Sequence, residues 1–269
     1  MASPRFLFVR RYWLEILLFV VFGGLLFAWL KLTPPGFFGK IWAMAASVCE
    51  QNPFHTLEIG GRLLPLCARC TGTFLGAFIS LCYLSAWGRA ERAPRLWKCL
   101  LLGAFAAAFL LDGVNSTLAT FFPKYSLYMP NNSLRFITGM GMGTGVGALI
   151  WPIWNDTIWS DLKERPLFEH KLAFPGLLLV ETAVTALVLI KIDWLYYPVA
   201  VLSSLAAPVL ITSIYSLLWI VGLKRENRVN CWKELIRFLE LGAICMIVQV
   251  GLIDLLRFAL LGSWQGIHF

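Results

Sequence analysis

Residues 134–154 read LRFITGMGMGTGVGALIWPIW. A run of this length, with Arg135 near its start as the one charge, can cross a bilayer, whose hydrocarbon core takes about 20 apolar residues. Gly139, Gly143 and Gly147 recur every fourth residue and fall on one helix face, with Gly141 and Gly145 on a neighbouring face. Small residues at this period let helices approach backbone to backbone, a common association mode in lipid. Gly72 and Gly76 repeat the spacing in a second apolar run. The stretch therefore reads as a tightly packed transmembrane helix. It lacks the Lys-Ser/Thr ending of a phosphate-binding loop.

The rest of the 269-residue chain has the same character. It is 59% hydrophobic and only 14% charged, where a soluble domain carries about a quarter charged residues; its mean hydropathy is +0.73. Seven spans are predicted: Trp13–Leu30, Leu66–Trp87, Cys99–Leu118, Leu134–Trp154, Leu172–Ile192, Tyr197–Val221 and Leu235–Leu261. The first follows Arg5, Arg10 and Arg11 in the manner of a signal peptide. No small-x-small cleavage pattern precedes Lys31, so it reads as an uncleaved span. Phe37–Val48 is apolar but too short to cross and reads as an interfacial or re-entrant helix. The expected fold is an all-α polytopic membrane helical bundle. It forms a single integral membrane domain over residues 1–269, with 37–66 as an outer-face re-entrant and loop region carrying Cys49 and His55.

The net charge of +8 takes its meaning from this topology. Residues 5–11, 89–98, 163–171 and 224–237 hold 15 of the 23 Lys and Arg residues, and all four segments lie on one side of a seven-span chain. The positive-inside rule then places the N-terminus in the cytoplasm and the C-terminus outside. Tryptophans near the predicted span ends, among them Trp13, Trp29, Trp87, Trp97 and Trp232, suit an interfacial belt. No basic stretch is interleaved with aromatics in a soluble domain, which argues against nucleic acid as a partner. The expected partner is the lipid bilayer, and the expected location is the bacterial inner membrane with a polar site facing outward.

That site begins at Cys67-Ala68-Arg69-Cys70, with Cys49 and His55 upstream. Two thiols three residues apart at a helix start share one face. The helix N-terminus and Arg69 both favour thiolate there. C-x2-C is half of a common zinc arrangement, and Cys49 with His55 or Glu50 would complete a tetrahedral set. The alternative chemistry is thiol–disulfide exchange at Cys67 and Cys70, which an oxidising outer face permits. Three cysteines on that face are one short of a two-pair relay. In the third reading the trio are unremarkable buried thiols; Cys82, Cys99, Cys231 and Cys245, in or beside apolar stretches, are expected to behave as small hydrophobes.

A second polar group approaches the same surface. Asp112 lies about 20 Å from the inner end of its span, in the outer half of the bilayer, with Asn115 on the same helical face. A carboxylate at that depth faces the bundle interior with a partner. Arg135 is the nearest candidate, flanked by Asn132 and Ser133. The set reads either as an Asp–Arg lock between spans or as a pocket of Arg69, Asp112, Asn115, Asn132 and Arg135 for an anionic, lipid-headgroup-like ligand. Asp254 and Arg257 are placed to pair on the last span. Glu181 is mid-span with no local partner.

The strings Cys49-x-Gln51-x-Pro53, Pro65-Leu66-Cys67-Ala68-Arg69-Cys70-Thr71-Gly72, Leu111-Asp112-Gly113 and Asn132-Ser133-Leu134-Arg135-Phe136-Ile137-Thr138-Gly139 resemble a family of small multi-pass membrane proteins, domain of unknown function 2085. The resemblance covers about Val48 to Gly147. The family pattern places His after the first cysteine, where this chain has Glu50. A Cys-His-Cys-Cys set would therefore need Glu50 or His55 as its second ligand here. The resemblance points to residues and implies no established reaction. The leading expectation is a zinc-like metal site beside an Asp/Arg pocket. The rivals are a membrane thiol–disulfide oxidoreductase and a non-catalytic subunit or assembly factor of a membrane complex. A transporter, resting on Asp112 and Glu181, lacks the repeat of broken helices such folds use.

Overall fold

The computed structural model describes residues 4–160, 165–262 and 264, of which 4–12 and 14 by backbone alone. The side chains of Arg5, Arg10 and Arg11, and all of Lys163 and His268, lie outside the described residues. The chain is nearly all helix, in the order α1 (Pro4–Leu32), α2 (Phe37–Ala46), the strands β1 (Glu58–Ile59) and β2 (Arg62–Leu63), α3 (Ala68–Ala86), α4 (Leu96–Phe121), α5 (Asn132–Ile158), α6 (Ala173–Leu189), α7 (Tyr196–Gly222) and α8 (Trp232–Leu261). Each of the seven predicted runs forms a helix, and the short eighth run forms α2.

Among the described residues, five helices are long and apolar enough to cross a bilayer: α1 from Glu15, α4, α5, α7 with the turn before it, and α8. The other two runs fall short, α6 in length and α3, which carries Arg69 and several polar residues, in apolar character. α3 has 19 residues and α6 has 17, about 28 and 26 Å of helix against a hydrocarbon core of about 30 Å. The exterior is built of large apolar side chains such as Phe19, Phe27, Leu110, Leu149, Leu179 and Leu252. Ser80, Thr144, Ser203, Glu181 and Asp254 are buried. That distribution suits a lipid surround, where polar groups must be satisfied inside the bundle.

The centre of the bundle is the α3–α5 seam that the glycine spacing predicts. A Cβ on Gly76 would come 2.6 Å from Met140 O, and one on Gly143 would come 2.6 Å from Ala77 N while clashing with Thr73 O. Gly141, on the neighbouring face, takes the Phe105 ring of α4. The obstacles at Gly76 and Gly143 are backbone, which cannot swing aside. Gly143→Ala should therefore lower stability by about 1–3 kcal/mol, the usual cost of overpacking. Gly103→Ala, whose new methyl meets nothing within 4 Å, should leave the detergent-solubilised thermal midpoint unchanged or slightly higher. Equal midpoints for the two variants would contradict the seam.

The two ends of the bundle differ. At one end the basic loops touch: Glu91 N donates to Arg165 O, Ser160 N donates to Val229 O, and Arg89 lies over the Trp159 ring at 3.6 Å. At the other end, residues 50–67 fold back as a plug. Gly60 and Gly61, both at positive φ, make the two-residue turn between β1 and β2 that only such residues adopt easily. Leu57, Ile59 and Leu64 on its flanks pack against Phe136, Met140 and Val199. Trp29 departs from the interfacial belt. It is buried, and its indole donates to Asp254 Oδ2 at 2.8 Å, because an intramembrane carboxylate needs a donor more than a lipid surface needs another ring.

Candidate metal centre

Cys49 lies just after α2, Cys67 caps α3, and Cys70 is in the first turn of α3. Their sulfurs all lie within 4.8 Å of one another. Cys67 backbone is extended (φ −60°, ψ 158°), which turns the chain from the plug into the helix and presents the Cys67 and Cys70 thiols to Cys49. Ala45, Leu66, Val48 and Phe74 pack around the trio, burying Cys49 and partly covering Cys67 and Cys70. No disulfide links them; all three are free thiols.

The surroundings supply negative-charge stabilisation. Cys49 Sγ accepts N–H bonds from Cys67 at 3.2 Å and from Gln51 at 3.4 Å, the partners that electron-rich sulfur takes. The thiol of Cys67 is held well below the usual thiol range. Hydrogen bonds from the Cys49 and Cys70 thiols are the main cause, helped by the Cys70 N–H and the Arg69 charge. Cys49 moves upward, chiefly because its proton is given to Cys67. The three sulfurs thus compete for protons, a competition a thiophilic cation would resolve by displacing them.

The loop bearing Cys49 is fastened from two sides. Gln51, buried at positive φ, donates its amide to Trp42 O at 2.9 Å and Pro65 O at 3.0 Å. Arg257 of α8 donates to Ala46 O, Cys49 O and Glu50 O, each at 2.7 Å. It therefore serves the carbonyl end of α2 rather than Asp254, as expected for a cation near a helix C-terminus. The sequence pointed to neither Gln51 nor Arg257 as a support, although Gln51 stands inside the quoted Cys49-x-Gln51-x-Pro53 string.

The other two expected ligands stand apart. Glu50 is exposed, and His55 is half-buried in a short 3-10 turn; neither joins the group of three thiols. Burial pushes the His55 imidazole below its ordinary value, and the charges of Arg135 and Arg69 add to this. Both effects favour the uncharged ring, the form that ligates metals.

Beside the trio lies a closed polar network. Asp112 pairs with Arg69, not with Arg135: Arg69 donates to its Oδ2 at 2.6 Å, and the Tyr128 hydroxyl donates to its Oδ1 at 2.9 Å. Arg69 reaches down from the first turn of α3, which the sequence separation of 43 residues concealed. Arg135 is buried with neutral partners, donating to Asn132 Oδ1 at 2.8 Å and to Ser116 Oγ at 3.4 Å. Asn132 donates to Phe54 O and Thr56 O, tying α5 to the His55 loop. Asn115 faces the α4–α5 connection, donating to Tyr128 O and accepting from Leu127 N. Ser116 and Tyr128 were not foreseen; Ser116 stands at i+4 from Asp112, which in retrospect marks the same helix face. Two guanidinium groups against one carboxylate leave one positive charge in excess next to three sulfurs.

Comparison by sequence matches residues 49–149 to the family described as Predicted membrane protein (DUF2085). An uncharacterized protein of Methanothermobacter thermautotrophicus is 30% identical over 106 residues, 38% of this chain and 83% of its own. An uncharacterized protein of Methanocaldococcus jannaschii is 26% identical over 125 residues, 46% of this chain and 74% of its own. No solved structure matches. The matched segment runs from Cys49 past Arg135 and so takes in the trio and the network beside it.

Proposed function

The chain belongs to the DUF2085 family of predicted membrane proteins, and we propose that in it Cys49, Cys67 and Cys70 form a zinc-type metal centre that orders the 37–66 region over the end of the bundle. The observation that carries this reading is the convergence of three thiols within 4.8 Å, with backbone N–H donors aimed at Cys49 sulfur. Three thiolates and a divalent ion carry one net negative charge. The excess positive charge of Arg69, Asp112 and Arg135 balances it across a water-poor interior, where such pairing has its greatest value. Three thiolates leave one tetrahedral position. His55, uncharged and on the same loop, is the candidate to fill it, and Glu50 is the oxygen alternative.

We place the centre at the outer face, on the end of the bundle opposite the basic loops, with the N-terminus inside the cell membrane. Seven helices then cross, the short α3 and α6 within a bundle that shields their ends. The network residues bond mainly to one another, so an anionic ligand would meet the partly exposed edge of Arg69 rather than an open pocket. The rival chemistry, thiol–disulfide exchange, draws on the same lowered Cys67 thiol. Elemental analysis of purified full-length protein, with thiol counting by mass spectrometry, separates the two. A metal reading expects about one zinc-like ion per chain, with Cys49, Cys67 and Cys70 becoming alkylatable only after chelation. No stoichiometric metal, with Cys67 and Cys70 joined in a disulfide, would overturn it.

A further inference from the structure

The metal centre does not involve the most isolated charge in the bundle. Glu181 sits at the midpoint of the 17-residue α6, about 12 Å from either end. It is 5% exposed. Among the described residues, no Lys, Arg or His lies within ion-pair distance of it. Its Oε1 accepts from the Ser80 hydroxyl of α3 at 3.0 Å, and the Thr144 hydroxyl of α5, which donates to Met140 O at 2.9 Å, lies beside the same carboxyl group with its lone pairs free. Ser80 and Thr144 are 0% and 1% exposed. The second oxygen, Oε2, is buried and has no partner at all.

A carboxylate oxygen left bare in a membrane interior costs several kcal/mol, and the surrounding helices offer no positive side chain to relieve it. The groups facing it from the packed elements are two hydroxyls, with the Tyr83 hydroxyl farther along α3 against Gly176. Hydroxyl oxygens and a carboxylate, donated by three separate helices, are the donor set that hard monovalent cations take, and the bare Oε2 marks where the missing positive charge belongs. The seam glycines permit the arrangement: Gly147 has no side chain where Ser80 Cβ stands, so α3 and α5 can bring both hydroxyls to one carboxyl group. We propose that Glu181, Ser80 and Thr144 form a monovalent-cation site at the middle of the bundle, occupied by a proton or a sodium ion. A charge-compensated carboxyl group at that depth lets the protein couple a conformational step to binding or release of one cation. This holds whether or not the thiols bind metal.

The test uses the full chain in detergent or liposomes and the apolar reagent dicyclohexylcarbodiimide, which adds to protonated carboxyl groups from the lipid phase and leaves a stable acylurea. Peptide mass spectrometry locates the label. The expected result is labelling at Glu181 that is lost in Glu181→Gln and whose rate changes severalfold with the concentration of the bound cation. A sodium site gives slowing by NaCl but not by choline chloride at fixed pH. A proton site gives slowing as pH rises from 6 to 9 with no effect of sodium. Ser80→Ala and Thr144→Val should shift the half-effect pH or sodium concentration, since each removes one oxygen donor. Three outcomes would overturn the proposal. One is a native protein that takes no label at Glu181 although the SDS-unfolded chain does. Another is a labelling rate indifferent to both pH and sodium, and the third is a dependence that neither hydroxyl variant moves.

Discussion

Purified Cys67→Ser protein is expected to hold almost no metal where the wild-type chain holds about one ion, and to lose order in the segment between α2 and α3. Cys67 is tied to the trio twice: its sulfur lies within 4.8 Å of the other two, and its N–H donates to Cys49 Sγ at 3.2 Å. Serine keeps the backbone and most of the volume but replaces a soft, easily ionised donor with a hard hydroxyl that stays protonated at neutral pH. Binding free energy at a thiolate zinc site is also ordering free energy. Here that energy acts on residues 47–66, whose other ties are the Gln51, Arg257 and Asn132 hydrogen bonds and the plug residues Leu57, Ile59 and Leu64. The helices themselves rest on the glycine seam and should persist. Elemental analysis should therefore show the loss of metal, and hydrogen exchange should show faster opening of 47–66, with the helical circular dichroism kept. Cys82→Ser, at an exposed thiol of α3, should match the wild type in all three. A Cys67→Ser protein with full metal and unchanged exchange would remove the trio from consideration.

Asp112→Ala should be the most destabilising single change in the polar network. Asp112 is 1% exposed and holds both the Arg69 guanidinium and the Tyr128 hydroxyl. Its loss leaves the buried Arg135 and the partly exposed Arg69 guanidinium groups without a carboxylate. Breaking a fully buried pair from one side costs about 3–5 kcal/mol, because the remaining charge is stranded, and the exposed edge of Arg69 lowers that figure. The second substitution identifies the cause. Asp112→Ala with Arg69→Met removes both charges and should regain more than half of the lost thermal stability, although each change alone is harmful. If the double variant is as unstable as the sum of the singles, the loss comes from packing around Tyr128 rather than from the stranded charge.

Asp112 and Arg69 also show how far the sequence could be read. That an aspartate deep in a span needs a cationic partner followed from the cost of charge in lipid. The choice of Arg135 rested on nearness in the chain, and it failed because the glycine seam brings the first turn of α3 against α5, setting Arg69 over Asp112. The same limit applied to Arg257: an i, i+3 neighbour was visible in sequence, while the exposed carbonyls at the end of α2 were not. The plug shows a different gap. The Gly60-Gly61 pair between Ile59 and Leu63 carries a hairpin signature, but four strand residues inside a hydrophobic chain make too weak a pattern to stand out.

By itself the sequence determined a helical membrane protein, the positions of all eight helices, the glycine faces that pack α3 on α5 and the convergence of Cys49, Cys67 and Cys70 on one region. Each depends on local periodicity, composition or spacing along the chain. Tertiary structure alone decided that the thiols meet without His55 or Glu50, that Arg69 takes Asp112 while Arg135 takes Asn132, and that Glu181 meets Ser80. Buried polar groups in a bilayer bond to whichever partner the helix packing brings within about 3 Å, and that partner is fixed by distances across the bundle, not along the chain.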